Sequence, residues 1–225
     1  MIKEGVLKGA KRAPFLKEAF KDALDTFRRD VLGREDFDPT ALLQFALFMA
    51  KSVINILKEN EARFGIDGQK AVNDALIKTG YEVGKEVVTD VEIPEGTTAI
   101  EMLSYMCTII NTEVWASIEE PIIEDEKNCS FNIHWCPLQD IYKAFDCRVQ
   151  RYMVQGVINA FREYSPFGKD YQLKFTKTIP AGGDICRFLL KEREPGEPDD
   201  WEDYSRLLEK RAMKRMKERQ KSESN

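Results

Sequence analysis

The chain of 225 residues contains one histidine, His134, and lacks several of the common chemical signatures. It has no glycine-rich phosphate loop, dinucleotide-binding fingerprint, His-Glu-x-x-His pair or Gly-x-Ser-x-Gly elbow. A histidine-rich metal cage is therefore excluded, and nucleotide-driven chemistry and the commonest serine hydrolases are disfavoured. No run approaches the ~18 uninterrupted apolar residues of a membrane span. The start, Met1 to Val6, has no apolar segment leading to a small-residue cleavage site. Basic excess is also missing. Acidic residues number 39 against 34 basic ones, giving a net charge of −5, the wrong sign for a reader of nucleic-acid backbones. Five cysteines, an odd number, do not close a disulfide framework. Without an export signal they read as free thiols in a reducing cytoplasm. The expectation is a cytoplasmic protein whose partner is a small molecule, not nucleic acid or a membrane.

What is present is the composition of a globular protein, 43% hydrophobic and 32% charged. The pattern divides into an N-terminal helical region (1–65), a mixed α+β domain (66–194) and a charged helical arm (195–225). Pro14 to Val31 reads as a helix with Phe15, Phe20, Leu24 and Phe27 near one face. Asp38 and Pro39 open a second helix, to about Phe64, with Leu42, Phe45, Ala46, Met49, Val53, Ile56 and Leu57 as its stripe. Gly65 ends it. A third helix runs from Asp67 to about Thr89 and carries Gly80 and Gly84. Each glycine costs a helix about 1 kcal/mol relative to alanine, so the pair predicts close approach of a neighbouring helix or of a ligand. Thr97 or Thr98 caps a fourth helix through Ile110.

Beyond Asn111 the period changes to two. Glu113 to Glu119 alternates as a strand closed by Pro121. Cys129 to Trp135 is a second strand, with Cys129, Phe131, Ile133 and Trp135 on one face and Ser130, Asn132, His134 and then Cys136 on the other. Helices are expected over Leu138 to Phe145 and Arg148 to Tyr164. The strands Tyr171 to Thr178 and Asp184 to Lys191 form a hairpin through the glycine-containing turn at 179–183. The last helix opens with Asp199, Asp200, Glu202 and Asp203 and is basic from Lys210 on, matching the helix dipole. Its apolar face, Trp201, Tyr204, Leu208 and Met216, is thin, as in an arm that joins copies into a homo-oligomer or docks the chain into a larger complex. The fold class is α+β, an antiparallel sheet of four or five strands covered by helices.

Two segments carry reactive side chains. In His134-Trp-Cys136 a cysteine sits where a strand turns toward a helix N-terminus, whose positive dipole end favours the thiolate. Such a thiolate can attack an electrophilic carbon or bind a metal; a buried structural cysteine is the alternative. In Asp184-Ile-Cys186 a carboxylate and a thiol share a strand face. If the two strands are neighbours, Cys136, Cys186 and Asp184 converge, with His134 as a proton carrier beside them. Cys107 and Cys129 read as core, and Cys147, opening a helix, is compatible with either role.

Cys136-Pro-Leu-Gln-Asp-Ile-Tyr142 and Phe175-Thr-Lys-Thr-Ile-Pro-Ala-Gly-Gly-Asp-Ile-Cys186-Arg-Phe188 together resemble the C-terminal signature of the L-2-amino-thiazoline-4-carboxylic acid hydrolase family. That family is related to the 4-vinyl-reductase type of small-molecule-binding domain. The resemblance spans about residues 66 to 190. It implies helices over an antiparallel sheet with a pocket between them, and a reaction that opens a cyclic amidine by adding water, giving an N-carbamoyl amino acid. The expected activity is hydrolysis at a C–N bond of such a heterocycle; a non-catalytic sensor for an aromatic or hydrocarbon ligand is the other reading. By resemblance, Cys136 and Cys186 match the family's cysteines and Tyr142 its tyrosine, with Thr178 and Trp135 beside them as substrate contacts. Zinc through Cys136 and Cys186 is an option, although Phe175 and Thr178 stand where zinc-binding relatives carry a glutamate and a further cysteine. The Asp184 to Cys186 spacing is one residue shorter than in those relatives.

Overall fold

In the computed structural model the described residues are Lys21–Val91 and Ile93–Glu223, without the side chains of Lys21, Asp22, Leu24, Glu113, Val114, Trp201 and Glu223. The expected face of Phe15, Phe20 and Leu24, and the tryptophan of the last helix, lie outside them. Helix α1 spans Lys21–Thr26 and passes into a π-helical stretch, Phe27–Leu32. Then come α2 (Thr40–Phe64), α3 (Ile66–Asp90), α4 (Ala99–Ile109), β1 (Ile118–Ile123), β2 (Asn128–Trp135), α5 (Arg148–Tyr164), β3 (Asp170–Lys177), β4 (Cys186–Arg193) and α6 (Asp200–Glu223).

The four strands make one antiparallel sheet in the order β1-β2-β4-β3. The β3–β4 hairpin is the one expected, and its neighbour β2 pairs Ile133 opposite Cys186. Phe131 and Phe188 stack at 4.8 Å across that central pair and Phe175 follows at 5.3 Å from Phe188, cross-strand contacts of the kind that fix sheet register. Pro121, which cannot donate to a ladder, sits in β1 at the sheet edge. Helices α4 and α5 lie on the sheet, α3 lies on α5, and α2 on α3.

Three stretches depart from the sequence reading. Where a strand was expected from Glu113, α4 instead runs on as a wide turn, Ile110–Val114, closed by Trp115 N–H donating to Ile110 C=O at 3.1 Å. The chain reverses at Ala116, whose φ of 50° is left-handed, and only then enters β1. Leu138 to Phe145 forms successive turns, not a helix. Asp184 precedes β4 and is not part of it.

The glycine pair in α3 is explained by helix packing. A Cβ on Gly80 would lie 1.9 Å from Met153 C=O, one on Gly84 2.8 Å from Val157 Cα, and one on Gly156 of α5 2.0 Å from Ile77 C=O. Main chains of α3 and α5 therefore touch directly, contact that only a residue without a side chain permits. Thr98 caps α4 in a reciprocal box with Glu101: Thr98 N–H donates to Glu101 Oε2 at 2.8 Å, and Glu101 N–H donates to Thr98 Oγ1 at 3.4 Å.

Helix α2 buries Ala50, Ile54, Leu57 and Glu61, yet Phe45, Phe48, Ile56 and Phe64 stay exposed. By length and composition alone it is apolar enough to cross a membrane, which the count of uninterrupted apolar residues had not suggested. At its end Glu61 is buried and accepts from Gln69 Nε2 of α3 at 2.6 Å and from Arg148 Nη2 of α5. One buried carboxylate thus joins three helices.

Candidate functional site

The turns after β2 deliver the chain to the N-terminus of α5. Leu138 and Tyr142 are buried in the core. Asp146, also buried, accepts from Lys143 N–H at 2.9 Å and pairs with Lys58 at 3.2 Å, which pins the residues ahead of the helix. Cys147 occupies the position before Arg148, and Arg148 N–H donates to Phe145 C=O at 3.3 Å.

Cys147, Arg148 and Arg151 then form one wall of a cavity of about 270 Å³ between α5, β3 and α6. Phe145, Leu173, Phe175 and Leu208 supply apolar wall. Thr178 and Ala181 come from the turn after β3, and Tyr204 and Ser205 from α6. Arg148, Arg151, Lys174, Lys177 and Arg211 stand on the lining, with no aspartate or glutamate there among the described residues; Arg148 is ion-paired with Glu61 and Lys177 with Asp184. Arg151 is 6% exposed, and its Nε and Nη2 are buried with no hydrogen-bond partner. Burial pulls its guanidinium below the usual range, against the opposing pull of Asp199, Glu202 and Glu209. Arg148 is committed elsewhere, to Glu61 and to Phe145 C=O at 3.2 Å.

Three thiols gather behind the Cys147 wall. β2 pairs with β4 so that Ile133, three residues before Cys136, lies opposite Cys186, and the Cys136 and Cys186 thiols both push the proton affinity of Cys147 up. Burial is the larger cause: it raises the Cys147 thiol far above its ordinary value and raises Cys186 as well. Cys186 Sγ accepts from Ile179 N–H at 3.2 Å. The Tyr142 hydroxyl is raised too, by burial and then by Cys147 and Cys136. Tyr142, Cys136 and Cys186 are buried, and the partly buried Cys147 links them to the cavity.

The other residues singled out in the sequence lie apart from it. His134 is on an exposed stretch of β2 with Nε2 3.6 Å from Glu120, while Cys136, past the end of the strand, turns into the core. The strand alternation that put them on one face stops at Trp135, which is itself partly exposed. Asp184 is at the surface, ion-paired with Lys177, which holds its carboxyl below the usual carboxylate range. Thr178 does line the cavity. Among the described residues no group of three or more His, Cys, Asp or Glu side chains is arranged to hold a metal. Cys136 and Cys186 alone fall short of the three or four protein ligands zinc takes. Cys147 and Arg151 carried little in the sequence; the only available signal was a cysteine followed four residues later by an arginine on the same turn of a helix start.

Fold and cavity together define a helix-covered antiparallel-sheet protein with a cavity lined by cationic and apolar side chains at a helix N-terminus. The chain belongs to the L-2-amino-thiazoline-4-carboxylic acid hydrolase family, whose model matches residues 45–190. It is 46% identical over 182 residues to an uncharacterized protein of Archaeoglobus fulgidus, covering 79% of this chain and 81% of that one. Among solved structures it is similar to a trafficking protein particle complex subunit 3 from Naegleria fowleri covalently bound to palmitic acid, with a TM-score of 0.46 and 11% identity over 66% of this chain and 95% of that one. It is also similar to the phenol-responsive sensory domain of the transcription activator PoxR with phenol, with a TM-score of 0.42 and 16% identity over 86% and 98%.

Proposed function

We propose that the chain is a hydrolase that adds water to the amidine carbon of a small cyclic amidine, using the cavity between α5, β3 and α6. The observation that carries this reading is the cavity wall itself. Cys147 and Thr178, both within the family-matched span, line the same cavity, and Cys147 is backed by the two cysteines of the family signature.

The chemistry follows from the groups at that wall. Burial keeps the Cys147 thiol protonated while the cavity is empty. Because burial disfavours a free thiolate, the thiol proton passes to the amidine nitrogen as sulfur attacks the amidine carbon, and that protonation makes the carbon more electrophilic. Sulfur adds to that carbon, the ring opens, and water then displaces the sulfur and restores the thiol. An N-carbamoyl product keeps both nitrogens on the former amidine carbon. With a thiazoline, atom balance therefore requires the ring C–S bond to break and a free thiol to be released. His134, 3.6 Å from Glu120, and Asp184, ion-paired with Lys177, both lie at the surface and take no step in this scheme.

The test is incubation of the full chain with 2-amino-thiazoline-4-carboxylate, following free thiol and the N-carbamoyl product by mass spectrometry. Release of both supports the hydrolase. The burial of Cys136 and Cys186 favours a second reading, a protein that binds such a ligand without turning it over; retention of intact probe on the protein would select that one.

A further inference from the structure

Helix α2 carries apolar side chains that the fold leaves uncovered. It lies on α3 and buries Ala50, Ile54, Leu57 and Glu61. On its other side Phe45, Met49, Ser52, Ile56 and Arg63 recur at helical spacing as a second stripe. Phe45 is 65% exposed, and so is Phe48 beside it. Ser52, small and central, already donates its hydroxyl to Phe48 C=O at 2.9 Å, so covering it strands no polar group. Leu42, Phe64 and Ile66 extend the open surface at its ends. Taken at about 200 Å² per fully open side chain, these apolar residues leave about 800 Å², which is what each partner gives to a standard protein interface. A contiguous apolar patch of that size marks an interaction site. The charges beyond its two ends differ in sign. Ahead of α2 stand Arg34, Glu35, Asp36 and Asp38, with Arg34 Nε committed to Asp36 at 2.8 Å. At the far end Ile66 shares a groove with Lys210, Lys214, Lys217, Glu218 and Lys221 of α6.

We propose that this face docks a second copy of the chain, the two α2 helices packing antiparallel about Met49 and Ser52. Setting Phe45 opposite Ile56 of the other copy brings Met49 opposite Ser52 and Asp38 opposite Arg63. The same register carries Glu35 to Ile66 and the lysine groove beside it. Two-fold symmetry makes each of these contacts twice, so opposite charges meet at both ends and the helix dipoles oppose. A parallel pairing would set like ends together. A membrane is the other cover for an apolar helix. However, α2 is bound to α3 and α5 through Glu61, and the acidic stretch ahead of it is repelled by an anionic surface. The docking element is therefore α2, with α6 contributing charge, and the proposal is independent of turnover.

Analytical ultracentrifugation of the full chain tests it. The expected species is a dimer, twice the chain mass of 26.0 kDa. Phe45→Glu with Phe48→Glu should raise the dimer dissociation constant at least about 100-fold with helical content unchanged, since neither side chain is part of the core. Glu35→Lys with Asp36→Lys should weaken the dimer about 10-fold. Adding Lys214→Glu and Lys217→Glu should restore most of that loss, a rescue that a misfolded variant would not show. A wild-type chain that stays monomeric at about 100 μM overturns the proposal without recourse to any variant. If that monomer sediments with phosphatidylserine-containing vesicles, the face belongs to a lipid surface. If it shows cross-links within one chain from the lysines of residues 1–20 to Lys51, the face belongs to that segment. A dimer that survives Phe45→Glu with Phe48→Glu, or one whose charge reversals do not rescue each other, overturns the antiparallel α2 interface as well.

Discussion

The two ends of α5 are held in different ways. Along Met153 to Ala160 its main chain presses on α3 at Gly80, Gly84 and Gly156, with no room for a methyl group at Gly80 or Gly156. At its first turn, contact is replaced by charge: Arg148 is fixed to Glu61 of α2, and one turn on Arg151 borders a cavity with its fork unoccupied. Dense backbone contact makes the helix a fixed rod, since close-packed interiors transmit displacement instead of absorbing it. The rod then presents Cys147 and Arg151 at a defined place. A functional end on a rigid element is more reproducible in geometry than one on a loop, and here both ends belong to one helix of 17 residues.

Breaking the ionic hold should have the largest effect. Arg148→Met leaves Glu61 buried without its cation and should cost about 3–5 kcal/mol in urea unfolding, most of it recovered when Glu61→Leu is added. Disturbing the packed end comes next. Gly156→Ala puts a methyl 2.0 Å from Ile77 C=O and should cost about 2–3 kcal/mol, with the loss visible as a lower Tm and weaker hydrogen-exchange protection in α3.

A control lies on the sheet edge, away from both ends of α5. Glu119 accepts from Asn111 Nδ2 at 2.6 Å, and burial raises its carboxyl from 4.5 to about 7. Because the folded value lies above the unfolded one, its contribution is complete below about pH 4.5 and is lost as the pH rises through about 7. The loss should be on the order of 2 kcal/mol, and Glu119→Gln should flatten that part of the stability profile without altering ligand binding. The smallest stability effect is expected at the cavity wall: Cys147→Ser should shift unfolding by less than about 1 kcal/mol.

Most of the frame could be read from residue order. The β3–β4 hairpin, a threonine cap at Thr97 or Thr98 and the need for close approach at Gly80 and Gly84 are local signals; the structure bears out the hairpin and the close approach, and places the cap at Thr98. The stretch 113–119 misled because its alternation satisfies a strand, while the decision rests on α4 extending by a wide turn and reversing at Ala116. Leu138 to Phe145 has helical spacing, yet Leu138 and Tyr142 meet the core through turns. The cavity was harder to see. Cys136 and Cys186 stand out as motif residues; β2 and β4 are neighbours, but the residue opposite Cys186 is Ile133. The group that reaches open space is Cys147, which depends on where α6 packs against β3, and no spacing within the chain encodes that contact.

The most direct test of the account is the rate of thiazoline ring opening by Cys147→Ser, compared with wild type at matched Tm. A fall on the order of 10³-fold, with the fold intact, is the result predicted for a thiol acting at the cavity wall. An unchanged rate in that folded variant would contradict it.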